Sequence, residues 1–354
     1  MEAGWLLKRD RQTPTVACRV LALALAFALA ADAGLAQTRA PEGRSATRVV
    51  VLSDFNESYG STRYSTHVDQ AVERTAALKP DLVISTGDMV AGQRLAPPLD
   101  RGETEAMWRA FHARVSDPLA KAGLPFAVTP GNHDASSGER FRLERAIYRE
   151  QWLPRKPGVA FVDARNYPFS YAFHVGDVLF ISLDATHVGH LSRAEKDWLQ
   201  GLLEKEGPRF RHRVVFSHVP LWPFATGRET DFLGDAELET ILQRGRVDLY
   251  LSGHHHAYYP GYKDGVRYVS QGCLGAAPRP LLGTRGVPPR SLTVIDFDAT
   301  GAIHVEAYRG PRFTEAIARS ELPPRVESRW ATILRDDLAH RERAGASPAA
   351  VPRR

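Results

Sequence analysis

Short runs of apolar residues recur along the chain, and they are rich in β-branched and aromatic side chains. The five that define the pattern are RVVVLS from Arg48, DLVIST from Asp81, LPFAVTP from Leu124, RVVFS from Arg213 and DLYLSG from Asp248. Apolar runs of this length that do not alternate with polar residues are typical of strands buried on both faces. We therefore predict a strand in each run.

Between these strands, apolar residues recur at the spacing of an amphipathic helix. The helical segments run from Val68 to Leu78, Glu103 to Val115, Glu139 to Trp152, Ala194 to Glu204 and Ala236 to Gln243. Strands that alternate with helices predict an α/β layered fold. Because residues 48–310 contain neither an internal repeat nor a linker-like stretch, we predict a single domain over that range.

Each predicted strand ends in a short motif whose residues are typical metal ligands. In chain order the motifs are SDFN at Asp54, TGDMV at Asp88, PGNHD at Asn132, FSHVP at His218 and SGHHH at His254. In open α/β sheets the ligand crevice lies outside the carboxyl ends of the strands, where side chains from distant parts of the sequence converge. The first hypothesis is therefore a metal site that binds more than one ion.

The three consecutive histidines of the last motif are informative because of their spacing. On an extended segment, residues i and i+2 point to one side and residue i+1 points to the other. His254 and His256 are thus expected to share a site, and His255 to turn away from it. Such a pair of imidazoles suits Zn, Fe or Mn. A chance pair among the thirteen histidines of the chain is the alternative.

Asp88 and Asn132 offer oxygen ligands. A carboxylate has two oxygens, so Asp88 is able to bridge two cations at the separation of about 3.5–4 Å that two-metal hydrolases use. The amide oxygen of Asn132 completes a ligand shell without adding charge. Taken singly, Asp88 is also typical of a helix cap and Asn132 of a turn.

Three further polar residues complete the set. His133 follows Asn132 directly, so it is expected near the metals without being a ligand, which suits proton transfer to a leaving oxygen. Asp134 is expected to orient that imidazole, as carboxylates behind metal sites do. His218 is expected to be a ligand, with a buried structural histidine as the alternative. The joint occurrence of five motifs in this order favours the metal site.

The order Asp, GD, GNHD, His, GHxH resembles the calcineurin-like metallophosphoesterases, a family that includes purple acid phosphatases and cyclic-nucleotide phosphodiesterases. The resemblance covers about Arg48 to Gly310. It implies an α/β fold of the two-sheet αββα sandwich type, and a metal-dependent phosphoester hydrolase. Monoesters, diesters, cyclic nucleotides and phosphoproteins all remain open as the phosphoester substrate.

The resemblance also implies a cofactor and roles for individual residues. Two divalent or trivalent metal ions (Mn, Fe or Zn) would form a dinuclear centre with a bridging hydroxide that attacks phosphorus. His133 would donate the proton to the leaving oxygen as general acid. Asp88 would bridge both ions, one of which would take Asp54 and His256, and the other Asn132, His218 and His254.

The first motif departs from the family pattern. The family usually has D-x-H, whereas Asp54, Phe55 and Asn56 place an amide where an imidazole is expected. Asn56 either coordinates through its side-chain oxygen or lies behind the ligands. The chain also resembles a bacterial subset of the family with motifs like SDxNxSYGS and GDMVAGQ, in which this asparagine recurs. The alternative function is a non-catalytic ligand-binding or partner-binding protein with a degenerate first metal site.

The N-terminal segment has the three-part layout of a secretory signal peptide. Basic residues precede an apolar stretch from Val20 to Ala31, and small residues follow it in ADAGLAQ. We predict a signal peptide over residues 1–36, a short linker over residues 37–47 and export to the periplasm or outside the cell. The apolar stretch is shorter than the roughly 20 residues that cross a bilayer, so no stable membrane anchor is expected after cleavage.

The C-terminal residues 311–354 form a basic extension of the predicted domain. Apolar residues at helical spacing predict a packed helix there, namely Val326, Trp330, Ile333, Leu334 and Leu338. The final ERAGASPAAVPRR is typical of a disordered tail. Nine Arg against six acidic residues in this segment account for most of the formal net charge of +5, so the charge gives no reason to expect nucleic-acid binding. Cys273, in SQGCLGA, is expected to be a small buried residue.

Overall fold

The computed structural model describes residues 46–339. The signal peptide predicted over residues 1–36 and the predicted basic tail beyond residue 339 lie outside the described residues. Fifteen strands occur within the described range: β1 (Thr47–Leu52), β2 (Leu82–Ser85), β3 (Phe126–Val128), β4 (Ala160–Asn166), β5 (Ser170–Val175), β6 (Val178–Ser182), β7 (His212–Phe216), β8 (Leu249–Ser252), β9 (Tyr259–Lys263), β10 (Val266–Ser270), β11 (Ser291–Phe297), β12 (Ile303–Arg309), β13 (Glu315–Ala316), β14 (Arg325–Glu327) and β15 (Thr332–Arg335).

The helices alternate with the strands of the first two thirds of the chain, as the apolar spacing predicts. They are α1 (Thr66–Leu78), α2 (Arg101–Phe111), α3 (Asp117–Lys121), α4 (Asn132–Ala135), α5 (Arg142–Trp152), α6 (Arg193–Lys205) and α7 (Ala236–Arg244). Side-chain caps fix several starts: Asp100 forms a capping box with Glu103 at α2, and Ser192 caps α6. A π-helical turn over His112–Ser116 joins α2 to α3.

The strands form two sheets. The first has the order β13-β12-β11-β1-β2-β3, and the second has the order β14-β15-β9-β10-β8-β7-β6-β5-β4. The buried side chains of both sheets belong to one hydrophobic core. Together with the helices, this is the two-sheet α/β sandwich that the sequence predicts.

The central strands of each sheet run parallel. β1 pairs with β2 and β2 with β3 in the first sheet, and β6 pairs with β7 and β7 with β8 in the second. The carboxyl ends of parallel strands lie at the same edge of a sheet, where ligand crevices form. The segments that follow β1, β2, β3, β7 and β8 contain the five motifs, so both sheets contribute to the candidate site.

The C-terminal helix predicted from Val326 to Leu338 is wrong for residues 325–335, whereas residues 336–339 are helical. Residues 325–335 form the hairpin β14–β15, which extends the second sheet beside β9. Val326 lies opposite Ile333 in that hairpin and both are buried, while Trp330 in the turn is 52% exposed. The apolar residues are seven apart because they pair across two strands, and this separation imitates two turns of a helix. The folded body therefore extends beyond Gly310.

No helix in residues 46–339 is long and apolar enough to cross a membrane.

Candidate metal centre

Four of the predicted ligands have a backbone conformation that non-glycine residues rarely adopt. Their φ angles are positive: Asp54 (51°), Asp88 (54°), His254 (65°) and His256 (54°). A left-handed residue without glycine's freedom costs about 1–2 kcal/mol, and such strain concentrates at functional sites. At each strand end the left-handed residue turns the chain sharply as it leaves the sheet. The structure thus marks these positions independently of their chemistry.

His218 lies at the centre of the first group of predicted ligands. Its Nδ1 is 2.8 Å from the carbonyl oxygen of Thr86, so Nδ1 donates a hydrogen bond there. Its Nε2 lies 3.3 Å from Asp88 Oδ1, 2.9 Å from Asn132 Oδ1 and 3.2 Å from His254 Nδ1. All four side chains come from different motifs. The convergence of their ligand atoms is the arrangement that the sequence predicts.

These atoms repel one another unless a positive charge lies between them. With Nδ1 of His218 donating to Thr86, a neutral ring presents the Nε2 lone pair to the oxygens of Asp88 and Asn132. Burial lowers the pKa of His218, but the charge and hydrogen bond of Asp88 outweigh burial and raise the pKa to about 9. A proton on Nε2 of His218 is one way to bring these lone pairs together without repulsion. A metal cation that displaces the proton is the other. The donor set therefore fits a cation.

Asp54 and His256 form a second group beside the first. His256 Nε2 lies 3.2 Å from Asp54 Oδ1, while His256 Nδ1 lies 3.0 Å from the carbonyl oxygen of Ala277. Burial raises the pKa of Asp54, but the charge and hydrogen bond of His256, together with the charge of His218, outweigh burial and hold the pKa below its ordinary value. The backbone N–H of His254 also donates to Asp54 (3.1 Å to Oδ1), so a direct hydrogen bond joins the two groups.

Asn56 gives a further indication of a missing partner. Its side-chain oxygen is buried, and no hydrogen-bond donor reaches it among the residues that the structure describes. A buried amide oxygen without a partner costs about 1–3 kcal/mol, so it calls for a ligand. Asn56 lines the same cavity as Asp88 and His256. Its oxygen is therefore available to a cation bound in this cavity.

The orientation of the Asn132 amide is set by a residue that the sequence analysis missed. Gln93 Oε1 accepts a hydrogen bond from Asn132 Nδ2 (2.8 Å), so the Asn132 oxygen faces His218. The Gln93 backbone is itself left-handed (φ 67°), and its N–H donates to the buried carboxylate of Glu144 (2.8 Å). Gln93 belongs to the GDMVAGQ motif, which was the available indication of its role.

Gly131 allows the third motif to approach the second. A Cβ atom at this position would lie 2.1 Å from the backbone nitrogen of Asp88 and 2.2 Å from Asp88 Oδ1. No real Cβ tolerates such contacts, so a side chain would displace Asp88 or the loop. The glycine of GNHD is therefore explained by the close packing of two strand ends.

His133 lies at the edge of the site, and its Nε2 is available for proton transfer. Its Nδ1 is 2.9 Å from the carbonyl oxygen of Gly92, which fixes the hydrogen on Nδ1. Its Nε2 is 3.9 Å from Asp88 Oδ2, and the side chain is 20% exposed. Its backbone N–H donates to Asp88 Oδ1 (2.9 Å). This is a position beside the ligands and open to a bound molecule.

The predicted orienting role of Asp134 is wrong. Its carboxylate accepts hydrogen bonds from the backbone N–H groups of Met89 (2.7 Å), Val90 (2.9 Å) and Gly131 (3.0 Å). As the third residue of α4, Asp134 turns back toward the start of its helix. The Gly92 carbonyl orients His133 instead. Burial and the nearby charge of Asp88 raise the pKa of Asp134 to about 7.

Asp231 is a second residue that the sequence analysis missed. Its Oδ1 lies 3.0 Å from Nε2 of His254, the ring whose other nitrogen faces His218. The carbonyl oxygen of Asp231 accepts from His255 Nε2 (2.8 Å), and His255 Nδ1 accepts from the Phe224 N–H (3.0 Å). His255 thus turns away from the site as predicted. No motif surrounds Asp231, so only the fold places it here.

A cavity of about 470 Å³ opens onto both groups of ligands. Asn56, Asp88, Asn132, His133, His254 and His256 line it together with Tyr59, His187, Val188, Arg228, Asp231 and Arg279. Asp184 lies outside this lining and is paired with Arg145. Cys273 is buried and donates to the carbonyl oxygen of Ala276, as expected for a structural thiol.

The sequence matches a family model that agrees with this geometry. The model is that of the calcineurin-like phosphoesterases, and it matches residues 47–258, more than half of the chain. The chain belongs to the calcineurin-like phosphoesterase family. The resemblance stated from the five motifs is therefore confirmed.

Curated relatives of this calcineurin-like phosphoesterase include named phosphatases. Serine/threonine-protein phosphatase CPPED1 of Bos taurus is 25% identical over 221 residues, which cover 58% of this chain and 64% of that protein. Purple acid phosphatase 18 of Arabidopsis thaliana is 29% identical over 156 residues, which cover 43% of this chain and 34% of that protein. The chain thus spans less than two thirds of the length of either relative.

Two solved structures show the same fold. The purple acid phosphatase PPD1 from yellow lupin seeds has a TM-score of 0.55 at 17% identity, with 76% of this chain and 52% of that chain covered. A dimetal phosphatase from Danio rerio has a TM-score of 0.53 at 14% identity, with 77% of this chain and 98% of that chain covered. At these identities the likeness concerns the fold alone.

The contact between Asp231 and His254 leads to a prediction for metal affinity. Asp231→Asn is expected to weaken metal binding by about 10–100-fold, the usual effect of losing a carboxylate behind a metal-ligating histidine. The measurement is a competition titration with a chelator at fixed pH. Asp197→Asn, on the exposed face of α6, is the control. Unchanged affinity in Asp231→Asn would show that His254 needs no such support.

Proposed function

We propose that this protein is a metal-dependent phosphoester hydrolase with a dinuclear centre. The observation that supports it best is the convergence of His218 Nε2, Asp88 Oδ1 and Asn132 Oδ1 within hydrogen-bond distances that a cation would satisfy. One ion would be held by Asn132, His218 and His254, and the other by Asp54, Asn56 and His256, with Asp88 shared between them. The family of the chain and the named phosphatases among its relatives agree with this activity.

When bound, the ions would lower the pKa of a water molecule between them and neutralise the charge of the phosphoryl oxygens. His133 would supply the proton to the leaving oxygen. Its Nδ1 hydrogen is committed to the Gly92 carbonyl, so the proton that moves is the one on Nε2, which points toward the cavity. General-acid catalysis of this kind contributes about 10²–10⁴-fold to a rate.

Two arginines on the cavity wall favour an anionic substrate. Arg228 is paired with Asp231. Arg279 donates to the carbonyl oxygen of His254 (3.1 Å), and no carboxylate lies within ion-pair distance of it among residues 46–339. Burial and the neighbouring Arg228 lower the pKa of Arg279. A guanidinium beside the ligands that makes no direct ion pair, although the charges of Asp54 and Asp231 act on it at longer range, is suited to the oxygens of a phosphoryl group.

The test of the proposed function combines metal content with turnover. Purified protein is expected to contain two ions per chain and to hydrolyse an aryl phosphate, with both properties lost on chelation and restored by Mn, Fe or Zn. The same measurement separates the hydrolase from the non-catalytic alternative, which arises because Asn56 stands where the family usually has a histidine. One ion or none, with no turnover on a panel of mono- and diesters, would favour a ligand-binding protein.

Asn56 itself gives a prediction for metal affinity. Asn56→His is expected to tighten binding of the ion at Asp54 and His256 by about tenfold, because imidazole is a better donor than an amide oxygen for Zn, Fe and Mn. The affinity of the other ion should change little. Calorimetric titration of the metal-free protein resolves the two sites, with Asn166→His on β4 as an exposed control. If neither affinity changed, Asn56 would lie outside the ligand shell.

A further inference from the structure

Two exposed apolar side chains lie at the mouth of the metal cavity. In the part of the chain that the structure describes, six large apolar residues are exposed, and Tyr59 (58%) and Val188 (47%) both line this one cavity. The rest of its lining is mostly polar or charged. Within a binding cavity, apolar side chains of this kind offer contacts to an apolar part of a ligand.

The backbone presents Tyr59 rigidly. It lies in a tight turn in which the Ser61 N–H donates to the Ser58 carbonyl (2.9 Å). The next residue, Gly60, is left-handed (φ 81°), and its N–H donates to the carbonyl oxygen of Ala91 (2.7 Å). Ala91 follows the second motif closely in sequence, so the turn is attached to the same loop as Asp88. A ligand that stacks on the ring therefore does not have to order the loop that carries it.

The position of Tyr59 relative to His133 indicates which part of a substrate it would touch. The two rings have centroids 5.3 Å apart and are inclined by 44°. The group that protonates a leaving oxygen lies next to the leaving group, so Tyr59 lies there too. Arg279, by contrast, is bonded to the His254 backbone. The cavity therefore places the aromatic ring of Tyr59 beside His133, and the guanidinium of Arg279 beside the predicted metal ligands.

We propose that Tyr59 is a stacking platform for a planar aromatic leaving group, and that the substrates are aryl phosphoesters. The proposal rests on the proposed function and adds its substrate class. The aryl ring of the substrate lies against Tyr59, with Val188 as a second apolar contact, while its ester oxygen faces His133. Stacked aromatic pairs favour planar rings over saturated rings of the same size.

The test uses phosphonates, which bind without reacting, so that leaving-group reactivity does not enter. Benzylphosphonate, cyclohexylmethylphosphonate and methylphosphonate are titrated by calorimetry into the protein loaded with Mn²⁺. Wild-type protein is expected to bind the benzyl compound about fivefold to tenfold more tightly than the cyclohexylmethyl compound. Tyr59→Ala should remove that preference and leave methylphosphonate affinity unchanged. Tyr59→Phe should keep the preference, as should Leu95→Ala, which removes an equally exposed side chain outside the cavity.

Two other outcomes are distinguishable. If Tyr59→Ala weakened all three phosphonates equally or none of them, the platform would be refuted, because a Tyr59 that only supports His133 changes turnover and not ligand preference. The proposed hydrolase would stand in that case, since methylphosphonate reports the phosphoryl site. If metal-loaded wild-type protein bound no phosphonate at all, the proposed function and the platform would both fail.

Discussion

Asp88→Asn is expected to lose bound metal and to reduce kcat/KM by about 10²–10³-fold, the scale of losing one strong transition-state contact. Asp88 is buried and lies 3.3 Å from His218 Nε2 through Oδ1. Burial raises its pKa, but the histidines around it outweigh burial and hold the pKa far below its ordinary value. The carboxylate is therefore charged at any working pH, and an amide cannot supply that charge to two cations. Metal analysis and steady-state kinetics measure both effects.

The fold should survive this substitution. Asn keeps the size of Asp and an oxygen that can accept from the His133 N–H, as Asp88 Oδ1 does (2.9 Å). Circular dichroism and thermal melting of the metal-free proteins check this point. Asp69→Asn, at a partly exposed residue of α1 paired with Arg114, is the control and should retain metal and activity. Full turnover in Asp88→Asn would exclude a shared ligand at this position.

His133→Ala is expected to retain both metals and to lose activity in a way that depends on the leaving group. Because His133 would supply a proton to the departing oxygen, the loss should be about 10²–10⁴-fold for a poor leaving group such as an alkyl alcohol. It should be much smaller for p-nitrophenolate, which leaves without protonation. The measurement is kcat/KM on a series of phosphoesters whose leaving groups differ in pKa.

The control for this series is His304→Ala, since His304 is an exposed residue of β12 that pairs with Asp298. It should leave the dependence on leaving-group pKa as it is in the wild type. A His133→Ala variant that lost the same factor on every ester would assign His133 a role in binding. A variant that also lost metal would assign it to the ligand shell.

Most of the site could be predicted because its residues follow strands whose apolar runs are unmistakable. Parallel strands of one sheet place their carboxyl ends together, which groups Asp54, Asp88 and Asn132 at one edge and His218 and His254 at another. The meeting of the two edges at one site was implied by the family resemblance and not by the strands alone. The alternation rule also placed His255 outside the site, and that outcome is right although His254 and His256 are left-handed and not extended. Chemistry and geometry supplied independent evidence here, and the structure agrees with both.

The rest depended on contacts that sequence spacing does not encode. Asp134 is adjacent to His133, yet helix geometry directs its carboxylate to the loop after β2. Asp231 reaches His254 from a loop without a motif. The separation of Val326 and Ile333 fits two turns of a helix as well as a hairpin. The hairpin forms because β15 pairs with β9 at the edge of the second sheet, a contact that the spacing does not reveal.

The ligands come from both sheets, and this has a mechanical consequence. Asp54, Asp88 and Asn132 follow strands of the first sheet, whereas His218, His254 and His256 follow strands of the second. A pair of cations held by all six would crosslink the two layers at one rim, in the way that a disulfide staples two loops. Sliding of one layer over the other would then have to break coordination bonds, so the cleft would keep its width while esters enter and products leave.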